Sequence, residues 1–173
     1  MFDVRSMNAP PALTPATRPA SPGQDKLVTG YLIAVAIRLA ETNIPVRALR
    51  AEPDIVAGSI TLDTSADPNT SAGHDAMWRV TRLGWEPDTG WSAILNRRDQ
   101  HPAPNRDGSD PDAVVRYLPT RQVVPEPGAV AQFVAAVRAD PDTIRASANP
   151  PHPMRADHRI LVMHLARYVP PPR

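Results

Sequence analysis

Between residues 24 and 42 the apolar positions Val28, Leu32, Val35 and Leu39 fall at i, i+4, i+7 and i+11, with Tyr31, Ala34 and Ala36 widening the stripe. Arg38 and Glu41 lie off it. This spacing predicts a helix that packs one broad face on a core. Ser21-Pro22-Gly23-Gln24 has the form of its start, with Ser21 as cap, Pro22 at the first helical position and Gln24 reaching back as in a capping box. Asn43 suits the left-handed C-terminal cap, and Pro45 forbids continuation beyond it.

The period then changes from 3.6 to 2. Val46–Ala51 reads as a strand, and in Gly58–Asp63 Ile60 and Leu62 alternate with Ser59 and Thr61, the signature of a half-buried strand. After a polar loop from Thr64 to Asp75, Met77–Glu86 and Trp91–Arg97 flank Pro87-Asp88-Thr89-Gly90. Proline presets that turn and glycine supplies the positive φ that closes a hairpin. Ala113–Leu118 reads as a further strand. A second helix is expected over 127–139, where Val130, Phe133, Val134 and Val137 make an i, i+3, i+4, i+7 stripe ended by Asp140-Pro141. A third, over 156–168, carries Ile160, Leu161, His164, Leu165 and Tyr168 on one side. Consecutive strands on short links favour an antiparallel meander, since parallel strands need crossover helices. The expected fold is α+β: an antiparallel sheet of four to five strands with two or three helices packed mainly on one face.

Composition adds boundaries to this picture. The chain has 173 residues, about one domain, and 22 prolines, which concentrate in stretches where they deny the backbone a helical or ladder donor. Residues 1–23 hold prolines 10, 11, 15, 19 and 22 among Ala, Thr and Ser, too little apolar surface to offset the cost of ordering. They read as a disordered tail, followed by an α+β domain over 24–140, a linker over 141–154, and a C-terminal helix with a proline-rich end over 155–173. Net charge is +1, so no strong field draws the chain to phosphate backbones and a nucleic-acid role is unsupported. The absence of cysteine excludes disulfides, thiol nucleophiles and cysteine metal sites. No apolar run is long enough for a membrane span or signal peptide, so the expectation is a cytoplasmic protein.

Motifs for nucleotide binding, metalloprotease, hydrolase and calcium chemistry are missing, and neither a metal nor another cofactor is expected. His158 and His164 are six residues apart, about 240° around a helix, where a shared metal needs neighbours. His164, beside Ile160 and Tyr168, reads as a boundary histidine. Asp157 before His158 reads as ordinary capping, and His74 and His101 read as solvated loop residues. No catalytic residue is assigned.

What stands out is that all three tryptophans, Trp78, Trp85 and Trp91, fall in one hairpin. Pairing Glu86 with Trp91 places Trp78, Arg82, Trp91 and Leu95 on one face and Trp85 on the other, so apolar residues appear on both. Either both faces are buried, or the hairpin presents an aromatic patch to a protein partner or a second copy, or the tryptophans line a ligand pocket. Trp78, Arg82, Trp85, Trp91 and Leu95 are the residues of that hypothetical binding surface.

The segments GYLIAVAIRL (30–39), SITLD (59–63), WEPDTGWSAIL (85–95) and RYLPTRQVVPEPGAVAQFVAAVRAD (116–140) resemble a family of uncharacterised actinobacterial proteins, a domain of unknown function. The resemblance covers about residues 26–140 and implies an opening helix, strands with a GW hairpin and a closing helix, with no activity attached. The leading expectation is a non-enzymatic protein-interaction or chaperone-like module using the aromatic hairpin. One alternative is a small-molecule-binding protein or enzyme with a site on the sheet, drawing on Arg79 or Arg82, Trp91 and His164. The other is a nucleic-acid accessory protein.

Overall fold

The computed structural model describes residues 23–52, 56–65, 78–97, 113–140, 146–151 and 157–170. Its elements are helix α1 (Gln24–Glu41), strands β1 (Val46–Ala51), β2 (Gly58–Leu62), β3 (Trp78–Glu86), β4 (Gly90–Arg97) and β5 (Val114–Tyr117), and helices α2 (Pro127–Ala139) and α3 (His158–Ala166). The proline-rich tail over 1–22, the loop after Arg97 and much of the expected linker lie outside the described residues, as do His74 and His101.

The five strands form one sheet in the order β1-β2-β3-β4-β5, and every neighbouring pair is antiparallel. This is the expected meander. The fold is α+β, with the helices on the sheet face that carries Ile60, Leu62, Leu83, Trp85, Trp91, Ala93 and Leu95, all of them buried. α1 lies over β1 and β2, α2 over β3 and β4, and α3 packs on α1. The α1 stripe is buried as its period requires: Val28, Tyr31, Leu32, Val35 and Leu39 face inward, while Ile33 and Ile37 remain exposed. Burial of that face, not helical propensity, supplies most of the helix's stability.

The start of α1 differs from expectation. Gly23 is the N-cap, at a left-handed φ of 93°, and no side chain caps the first turn. Ser21 and Pro22, the expected cap and first helical residue, lie outside the described residues. Gln24 is buried, and its amide donates to His158 Nε2 at 2.9 Å, a tertiary contact between the first turns of α1 and α3. The other end behaves as its sequence indicates: Asn43 takes a φ of 58°, and its N–H donates to the Ala40 carbonyl.

Two glycines set the helix spacing. A Cβ at Gly58 would lie 2.7 Å from Leu32 Cδ1 and 3.2 Å from the Arg50 carbonyl oxygen, so α1 seats directly on β2. A Cβ at Gly30 would lie 2.9 Å from the Tyr168 carbonyl oxygen, backbone that cannot rotate away. Gln24 meets His158 and Gly30 meets Tyr168, so α1 and α3 run in the same sense. Gly30→Ala is expected to push α3 off α1 while sparing the sheet. Hydrogen exchange should then show lost protection over 158–168 with β3 and β4 unchanged, whereas full protection of α3 would contradict the close contact.

Candidate functional site

The hairpin register decides where the tryptophans go. β3 and β4 pair Glu86 with Gly90 and Trp85 with Trp91, one residue off the pairing expected from a four-residue turn. A bulge between Val80 and Arg82 shifts the register again. Because side chains alternate, the one-residue change moves Trp85 onto the same face as Trp91, with Leu83 and Ala93 beside them. That face is the one under the helices. Trp85, Trp91 and Leu95 are buried in the core, so they do not form a common exposed surface with Arg82. Arg82 is exposed and lies opposite Ile94 on the outer face of the sheet. Trp78 is half-buried near the end of the hairpin, with the Arg97 guanidinium 5.8 Å from its ring centroid. The large apolar residues of the hairpin lie largely on one face.

Buried indoles need acceptors for their N–H groups, and both find them across the core. Trp91 Nε1 donates to the Tyr31 hydroxyl at 2.9 Å, and that hydroxyl donates to the Pro125 carbonyl at 2.7 Å. Trp85 Nε1 donates to the Val123 carbonyl at 2.9 Å. Tyr31 also meets both indole rings edge-on, at centroid distances of 5.6 and 5.9 Å, and packs at 5.0 Å against Tyr168. Burial holds the Tyr31 hydroxyl far above the usual phenol range, so it stays protonated and keeps its donor role. Trp85 and Tyr31, the latter backed by Trp91, thus clamp the irregular segment Val123–Pro125 that leads into α2.

That clamped segment forms one wall of a cleft of about 380 Å³, and α3 forms the other. Val123 and Val124 face Ile160 and Leu161 as its apolar lining. Arg121, His164 and Arg167 bring basic groups to it, and Glu126 and Asp157 bring acidic ones. Tyr168 joins the cleft to the core, its hydroxyl 3.5 Å from Glu126 and its pKa raised by partial burial and by that carboxylate. The size lies at the lower end of the range of ligand clefts, about 300–1,000 Å³. Ile160, 51% exposed, is an apolar side chain presented to solvent at the rim.

A family model described as a family of unknown function (DUF6292) matches residues 31–136. The chain belongs to this family. No curated protein and no solved structure matches it. The family region begins at Tyr31 and includes Trp85, Trp91 and Val123–Pro125, the whole of the clamp. It ends before α3. The cleft is therefore built from one wall inside the family region and one outside it.

The residues of the alternative sheet site are not brought together. Trp91 is under the helices, Arg82 is on the opposite face, and His164 is on α3 in the cleft. Asp157 caps α3, accepting from the Arg159 N–H at 2.9 Å, as its position before the helix implies. Among the described residues no three His, Asp or Glu side chains cluster as a metal site would require, and no helix is long and apolar enough to cross a membrane. Sequence reasoning missed Arg121, Val123 and Val124 as site residues, because an irregular segment has no period to reveal which way its side chains point.

Proposed function

We propose that the protein is a non-enzymatic protein-interaction module that binds an extended peptide segment of a partner in the cleft between residues 121–126 and α3. The observation that supports this best is the clamp behind the cleft. Hydrogen bonds from Trp85 and Tyr31 fix Val123 and Pro125 from inside the core, so one wall is set before anything binds, and a preorganised wall lowers the ordering cost of association. Apolar residues in the middle with charges of both signs around them suit a peptide that buries side chains and pairs its polar groups at the edge. The hairpin tryptophans serve this surface from beneath instead of meeting the partner themselves.

The test is a peptide array probed with the full chain and with Ile160→Glu. Ile160 is half-exposed, so the substitution puts a charge at the cleft without opening a core cavity. Array-selected peptides are expected to bind the variant about tenfold more weakly or worse, a loss of roughly 1.4 kcal/mol, while its urea midpoint stays near that of the wild type. Equal affinity for both proteins would overturn the assignment of the surface, as would the absence of any retained peptide.

A further inference from the structure

We propose, building on the cleft as the binding surface, that residues 10–19 of this same chain, PPALTPATRP, dock in it and compete with the partner. The geometry of α1 carries this inference. Gln24, the first residue of the helix, is buried and bonded to His158, the first residue of α3. The neighbouring Asp157 lines the cleft. The described chain therefore begins beside the cleft, with 22 residues preceding Gly23 in the sequence.

Reach and chemistry both fit. Thirteen residues, 10–22, span up to about 40 Å as a polyproline II strand, whereas the nine residues of α3 are only about 14 Å long. The segment has four prolines, Pro10, Pro11, Pro15 and Pro19, with Leu13 between them and Arg18 near its end. Proline-rich strands are already extended and lose little entropy on docking against apolar and aromatic walls. Val123, Val124, Ile160 and Tyr168 supply such walls, and Glu126 and Asp157 are acidic partners for Arg18. With only a few residues between Pro19 and Gly23, the effective concentration is of the order of millimolar. Even a weak contact is then substantially occupied within one chain. An external peptide must displace the tail, and its apparent affinity is reduced by the fraction of free cleft.

The chain has no cysteine, so Ala9→Cys in the full chain takes a single nitroxide label. Amide signals over 121–126 and 158–168 are expected to lose at least half their intensity, with β1 unaffected. Adding Ile160→Glu should restore them in a protein whose spectrum remains dispersed. Even broadening across the protein, or broadening centred on the outer sheet face, would overturn the proposal. So would cleft broadening that arises only between labelled and isotope-enriched copies in a mixture, which would place the tail in a second molecule. If the label leaves the cleft unaffected while array-selected peptides still bind there, the tail contact is wrong and the cleft remains the binding surface. If the peptides do not bind either, both are wrong. A companion variant with Pro11→Ser, Leu13→Ser and Pro15→Ser should bind those peptides at least twofold more tightly than the wild type, and unchanged affinity would count against the tail.

Discussion

Trp91→Ala is expected to remove about 3–5 kcal/mol of stability, a large part of the roughly 5–15 kcal/mol available to a domain. The indole is buried in the core and packs against the Tyr31 ring. Its N–H donates to the Tyr31 hydroxyl. Truncation leaves a cavity under the helices and deprives Tyr31 of its donor. The urea midpoint, followed by circular dichroism, should fall accordingly. Trp78→Ala provides the internal comparison: its ring is half-buried at the end of the hairpin, so its loss should be much smaller. Equal effects of the two substitutions would mean that the hairpin faces are assigned wrongly.

Tyr31→Phe is expected to cost about 1–3 kcal/mol or somewhat more, although it removes a single oxygen. That oxygen both accepts from Trp91 and donates to Pro125, so its loss leaves a buried N–H and a buried carbonyl without this partner. The same atom gives the wild type an alkaline signature. In the unfolded chain tyrosine ionises near pH 10, while burial keeps Tyr31 protonated well above that in the fold. The folded state therefore binds more protons than the unfolded state above pH 10. The Tyr31 contribution is fully present below that pH and declines as pH rises, by up to about 1.4 kcal/mol per pH unit. Tyr31→Phe should flatten this decline in urea midpoints measured from pH 9 to pH 11. An unchanged slope would show that the hydroxyl is not sequestered.

Much of the architecture was legible because it follows from periodicity. The α1 stripe, the alternation in Ser59–Leu62 and the stripe of α2 each bury the positions their spacing indicates. The candidate surface was not legible for a reason confined to three residues. The turn between β3 and β4 leaves Pro87, Asp88 and Thr89 unpaired, and Gly90 joins the strand opposite Glu86. Assigning Gly90 to the turn shifts the pairing by one residue, which exchanges the faces of β3 relative to β4. That single step splits a buried aromatic pair between the two faces of the sheet. The cleft was hidden differently: its second wall, α3, is seated on α1 through contacts such as Gln24 with His158, 134 positions apart, and no local pattern reports them.

The placement of the binding surface is tested most directly by mapping amide shifts of the full chain on titration with an array-selected peptide. Saturable shifts concentrated in 121–126 and 158–168, with Thr61, Arg82 and Ile94 on the outer sheet face unmoved, are the predicted result. Shifts centred on the outer sheet face, with the cleft silent, would contradict it.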